Sequence, residues 1–162
     1  YSCHSLSVVP NMPKATNLQH TFNDTAIKEL RHDNAEILAI GECASLEVID
    51  CPKVNDLIGG AFSGSMRPLD NLKELHLTSE SFESVHAQVF NGGLVIGQVT
   101  LYLNANQEGN IEHIESNDYY VWRPKKADGT TAVQKYSTTD YVLLNSFKAI
   151  YCGDKQIKPS NP

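Results

Sequence analysis

Apolar and polar residues alternate with a period of two over much of this chain, the pattern of half-buried strands rather than helices. Residues 36–40 and 45–50 are short apolar runs split by Gly41-Glu42, and residues 72–78 place Leu75 and Leu77 on either side of His76. Val85, Ala87 and Val89 alternate with Ser84, His86 and Gln88. In residues 94–103, Val95, Val99, Leu101 and Leu103 take one face, with Ile96, Gln98, Thr100 and Tyr102 on the other. Residues 111–115 and 119–123 continue as strand, and 131–137 returns after a turn at Asp128-Gly129. Tyr141, Leu143, Phe147, Ala149 and Tyr151 share a last face. Between the runs before and after it, Asn91-Gly92-Gly93 accepts positive φ cheaply and gives the strongest hairpin signal.

The remaining segments set the boundaries. Residues 1–22, with Pro10 and Pro13, read as an extended N-terminal arm, and residues 153–162 as a C-terminal tail. Residues 24–33 read as one short helix, capped by Asn23 or Asp24, with Ile27 and Leu30 as its apolar edge. Residues 52–70 form a long Pro- and Gly-containing loop. The expectation is a single, mainly β domain over residues 1–162. It is an antiparallel meander of about eight strands closing as a barrel or sandwich, with one short helix near the N-terminus.

Composition narrows the class. The chain of 162 residues is 41% hydrophobic and 20% charged, as in a folded globular protein. Mean hydropathy is −0.31. A net charge of −6 opposes phosphate binding, so nucleic acid is not an expected partner. No apolar run is long enough to cross a bilayer as a helix.

Cys3, Cys43, Cys51 and Cys152 contain no CxxC pair, and the six histidines lack zinc-finger spacing. An even count, with two cysteines near the ends, favours two disulfides over a metal site. Of the three connectivities, Cys3–Cys152 and Cys43–Cys51 are favoured. Together with the Asn23-Asp24-Thr25 sequon, which makes Asn23 a glycosylation candidate, they suggest a secreted, extracellular protein.

Catalytic signatures are scarce. There is no G-x-S-x-G, and Gly64-Ser65 lies in a loop without strand-turn-helix context. There is no H-E-x-x-H, Walker A or G-x-G-x-x-G, and no cofactor is implied. Glu112-His113 with Glu115 is the best acid–base fragment, and His76 and His86 on neighbouring strands would approach it across an antiparallel sheet. Converging, His76, His86, His113 and Glu115 would suit a metal-independent hydrolase or nuclease. Asn104, Asn106 and Glu108 have a faint calcium-loop spacing but lack its aspartates, so residues 104–110 read as a polar turn.

Most of the aromatics lie between residues 90 and 152. Tyrosine joins an apolar body to a hydroxyl and lines pockets for amphiphilic molecules. Tyr102, Tyr120, Trp122 and Tyr141 are therefore the candidate ligand-binding residues.

The segment Tyr136-Ser137-Thr138-Thr139-Asp140-Tyr141, followed by apolar alternation to Ala149-Ile150-Tyr151-Cys152, resembles a lipocalin motif in which T-D-Y opens a strand that ends near a cysteine. The resemblance implies an eight-stranded antiparallel barrel around a small hydrophobic ligand. It also implies a bridge corresponding to Cys3–Cys152. The opening G-x-W of that family is absent, and the single tryptophan is Trp122. Ala44-Ser45-Leu46-Glu47-Val48-Ile49-Asp50-Cys51 and Asn71-Leu72-Lys73-Glu74-Leu75-His76-Leu77 read like leucine-rich-repeat strands. A solenoid needs several repeats at a fixed period, and none is sustained, so that architecture is set aside.

The functional expectation is a non-enzymatic binding protein holding a small hydrophobic or amphiphilic ligand inside the barrel. The alternative is an extracellular disulfide-tied sandwich that binds a protein partner through its loops, including residues 59–70, or an exposed sheet. The hydrolase is third.

Overall fold

A computed structural model describes residues 3–62 and 69–159, so Gly64-Ser65 and half of the 59–70 loop lie outside the described residues. The first strands are β1 (Asn17–Gln19), β2 (Glu29–Arg31), β3 (Ile37–Ala39), β4 (Val48–Asp50) and β5 (Asp56–Leu57). They are followed by β6 (Glu74–Leu77), β7 (Ser84–His86) and β8 (Thr100–Leu103). A 3-10 turn at Ala105–Asn110 leads to β9 (Ile111–Ile114), β10 (Tyr119–Trp122), β11 (Val133–Gln134) and β12 (Val142–Leu143). The chain closes with β13 (Ala149–Cys152) and β14 (Lys155–Lys158).

From β1 to β8 the strands alternate between two sheets. The five-stranded sheet has the order β1-β3-β5-β7-β11, and the six-stranded sheet has the order β14-β13-β8-β6-β4-β2. Every pairing in the first is parallel. In the second, only β14 on β13 is antiparallel. The chain thus winds as a coil, each turn laying one short strand on either side of a shared core.

The sequence produces this through a single inward residue per strand. In the six-stranded sheet, Leu30, Ile49, Leu75, Leu101 and Ile150 stack in register across the rungs, all essentially fully buried. In the five-stranded sheet the inward column is Leu18, Leu38, Leu57, Val85 and Val133. The corners between sheets are apolar too. Ile27, Leu46, Leu72 and Phe147 precede the six-stranded sheet's strands by a fixed offset, and Cys51, Leu77, Leu103 and Cys152 finish them. Larger rings fill the wider interior, where Phe90 lies 5.5 Å from Phe62 and 4.9 Å from Phe147.

The rungs differ in length. Cross-rung partners are 19 residues apart between β2 and β4 and 26 apart between the strand margins of β4 and β6. Between β8 and β13 the chain makes an excursion nearly twice as long, which holds a three-stranded antiparallel sheet of order β12-β10-β9. The ends are covered. Leu6, Val9, Met12 and Ala15 of the arm pack against the first coil, and β14 with Ile157 closes the last.

Mainly β is correct; the antiparallel meander closing as a barrel or sandwich is not. Alternation shows that a strand has two faces and leaves the direction of its neighbour open. The helix over residues 24–33 is replaced by a corner and β2: Ile27 and Leu30 are both buried, but as a corner residue and a strand residue pointing into one core. At Asn91-Gly92-Gly93, Gly92 does take φ +83°, yet the segment joins turns between β7 and β8 and makes no hairpin. Part of the arm becomes β1, and the tail contains β14.

The two disulfides are also corrected, since all four cysteines are free. Cys3 sits with the arm, whose Leu6 carbonyl accepts from Ala26 N–H just before β2, whereas Cys152 ends β13. Strands β2 and β13 are four rungs apart, roughly 19 Å at the usual strand spacing, against the ~7 Å limit for a disulfide. The Cys43 thiol donates to the Phe22 carbonyl at 2.8 Å, and β4 separates it from Cys51. Burial pushes the thiols of Cys43 and Cys51 up to about 12 and that of Cys152 up to about 11. Near pH 8 a disulfide-exchange reagent is expected to titrate one thiol rapidly in the native protein, the exposed Cys3, and four in denaturant. Finding no titratable thiol in denaturant would restore the bridges.

Candidate interaction face

The outward positions of the six-stranded sheet are brought into rows by its register. One row runs Arg31, Asp50, His76, Tyr102, Tyr151 and Gln156 from β2 to β14. Beside it run Glu29, Val48, Glu74, Thr100 and Ala149. In-register neighbours stand roughly 4.8 Å apart, so identical or similar side chains along a row must stack or pair.

The β2–β4–β6 end is ionic. Arg31 Nη1 contacts Asp50 Oδ2 at 2.9 Å, and its Nε contacts Glu29 Oε2 at 3.1 Å. The hydrogen bond to Glu29, then the charges of Glu29 and Asp50, raise the guanidinium's pKa further. At the margin, Glu47 holds Lys73 at 2.6 Å and Lys28 at 3.7 Å, and the Lys73 hydrogen bond lowers the carboxyl's pKa. These groups are solvent-screened, so the pairs fix orientation more than they stabilise.

The β6–β8–β13 end is aromatic. His76 and Tyr102 are stacked with centroids 4.2 Å apart and planes 9° apart. Tyr102 and Tyr151 follow at 5.4 Å and 16°. His76 Nε2 meets Glu74 Oε2 at 2.9 Å, and the Tyr151 hydroxyl donates to Gln156 Oε1 at 3.1 Å. Burial, then the charge of Glu74, raises the Tyr102 pKa, so its hydroxyl stays a donor. Because the inner ring faces are used by one another, the stack offers partners its edges and hydroxyls. That favours directional hydrogen bonding over sandwiching a ligand ring.

The other expected site residues lie elsewhere. Tyr120 is buried and stacked on His113 at 4.3 Å, with Lys158 Nζ 5.5 Å from its ring centroid. Trp122 is fully buried, edge-on to Phe82 at 4.9 Å, and its indole donates to Gln107 Oε1 at 3.1 Å. Tyr141 lies under Arg123 at 5.6 Å. Tyr102 alone of the four is on the six-stranded face, so they do not line one cavity. The interior is filled by the core, and the grooves are open and polar. One of about 330 Å³ lies between the arm and residues 31–34; another of about 430 Å³ lies among Glu36, Lys53, Asn55 and Ser79.

The acid–base cluster does not assemble either. His76 projects from the six-stranded sheet, and His86 projects from the five-stranded one, against Gly59 and 5.9 Å from Tyr136. The two sheets face each other across the core, so these rings point away from each other. His113 pairs with Asp118 at 2.8 Å instead of Glu115. Among the described residues no group of three or more His, Cys, Asp or Glu side chains is arranged to hold a metal. At the sequon, Asn23 Oδ1 is enclosed and Thr25 is buried with its hydroxyl on the Phe22 carbonyl, so the triplet is built into a packed corner.

The architecture is that of a parallel β-coil with irregular rungs, carrying an ordered outer face. No family model matches the chain, and neither the curated proteins nor the solved structures contain a match.

Proposed function

We propose that the protein is a non-catalytic interaction module that binds a protein partner through the outer face of its six-stranded sheet. The observation that carries this reading is the in-register row from Arg31 to Tyr151, in which Arg31 pairs with Asp50 and His76, Tyr102 and Tyr151 stack across successive rungs. Tyrosine and arginine dominate the energetics of protein interfaces, and pre-ordered side chains lose little entropy on contact. Six strands at about 4.8 Å span roughly 24 Å, the length of about seven residues of extended chain. A strand-like segment laid along the coil axis therefore fits the row better than a broad flat partner does.

A photo-crosslinking residue placed at Thr100, in extract from the source cells, is expected to give a discrete protein adduct. The same residue at Gln134, on the outward side of the other sheet, should give none. Adducts from Gln134 alone, or from neither position, would remove the face from the function.

A further inference from the structure

His32 is the buried histidine of the described chain, at 7% exposure, and it stands where the N-terminal arm meets the first coil. Both of its ring nitrogens are engaged. The backbone N–H of Asn34 donates to Nδ1 at 3.3 Å, which makes Nδ1 an acceptor and puts the ring proton on Nε2. Nε2 then donates to the Met12 carbonyl of the arm at 3.0 Å. A second tie lies next to it, where Asn34 Nδ2 donates to the Pro13 carbonyl at 3.0 Å while Lys53 Nζ donates to Asn34 Oδ1 at 2.9 Å. Both ties thus depend on the short turn that His32 and Asn34 form together.

We infer that His32 is an acid-sensitive latch: the neutral imidazole docks residues 3–16 on the first coil, and its protonation releases them. A proton on Nδ1 replaces an acceptor by a donor opposite the Asn34 N–H. The turn must open, and the Pro13 tie moves with it. The groups that face the ring carry both signs of charge. On its own segment it has Arg31 and Asp33. From β4, Asp50 accepts the His32 backbone N–H and engages Arg31 through its carboxylate, and Cys51 brings a neutral thiol. Lys53 adds a further positive charge beside Asn34. The arm residues that line this groove, Val9 to Pro13, bring no charge at all. His4, at the far end of the arm, lines a separate groove with Asp24 and Glu42 and serves as the control.

Release lifts Leu6, Val9, Met12 and Ala15 from the core they pack against. The test is hydrogen–deuterium exchange of the full chain at pH 7.5 and pH 5.0, corrected for intrinsic rates. Exchange in residues 3–16 and 32–34 is expected to rise at least tenfold at pH 5.0, with β6 and β8 unchanged. His32→Gln keeps a donor for Met12 and cannot titrate, so its arm should stay protected at both values, whereas His4→Gln should behave like the parent. Equal arm protection in the parent at both pH values, or the same rise in His32→Gln, overturns the latch. If His32→Gln does not fold, the parent and His4→Gln profiles decide, since a rise spread over β6 and β8, or lost in His4→Gln, refutes it equally.

Discussion

Replacing Trp122 by alanine is expected to destabilise the protein by about 3–5 kcal/mol, which lowers the melting temperature of a domain this size by roughly 6–20 °C. The indole is fully buried and packs edge-on against Phe82 with planes 88° apart, so its removal leaves a cavity where the excursion docks on the coil. It also takes a donor from Gln107, whose Oε1 accepts from both Trp122 Nε1 and Asn110 and whose Nε2 donates to the Glu80 carbonyl. Trp122→Phe separates the two contributions. It retains most of the packing and loses the hydrogen bond, so it should cost about 1–3 kcal/mol. Thermal unfolding followed by circular dichroism measures both. A Trp122→Ala protein as stable as the parent would mean that the ring lies in a site open to solvent, as the barrel reading of the sequence requires.

That reversal shows how far the sequence could be read. Tyr120 and Trp122 do share a face, as the alternation indicates, but alternation does not say whether that face lines a cavity or fills a core. The strands at residues 37–39, 48–50, 74–77, 100–103, 119–122 and 149–152 were legible for the same reason. What was hidden is which strand each one meets. Leu46, Ile49 and Cys51 repeat the spacing of Leu72, Leu75 and Leu77, and both sets point inward at equivalent places on adjacent rungs. The repeat-like likeness of these two segments was therefore the informative signal. It does not continue as a fixed period because corners of unequal length change the rung from 19 to 26 residues and the excursion interrupts it altogether. Parallel pairing tolerates such variation, since each rung needs only an inward residue in register.

The candidate face was less legible still. Asp50, His76, Tyr102 and Tyr151 are scattered over a hundred residues and share no local motif, and only register places them side by side. Ile27 and Leu30 illustrate the opposite failure. A separation of three residues is the helical signal, and it is equally the offset between a corner and the strand that follows.

The coil makes a sharper demand at its centre. Leu75→Asp is expected to abolish cooperative folding near neutral pH, while His76→Asp, one residue along, leaves the fold intact. Leu75 is fully buried and stands between Ile49 and Leu101 in the inward column, so a carboxylate there meets hydrocarbon on both neighbouring rungs. The lost apolar burial and the unpaired charge together exceed about 4–5 kcal/mol, comparable with the entire stability of a small domain. Protonation relieves the charge, so the buried carboxyl's pKa is raised and stability returns as pH falls. Leu75→Asp should accordingly regain structure toward pH 4, where Leu75→Ala shows no such gain. The His76 side chain points outward beside Glu74, and an aspartate there costs the stack with Tyr102 and adds like-charge repulsion with Glu74 and Asp50. Chemical denaturation of the three variants at pH 7 and pH 4 checks the contrast. A folded Leu75→Asp protein at pH 7 would show that the two parallel sheets do not enclose a common core, and both the coil and the face built on it would then have to be abandoned.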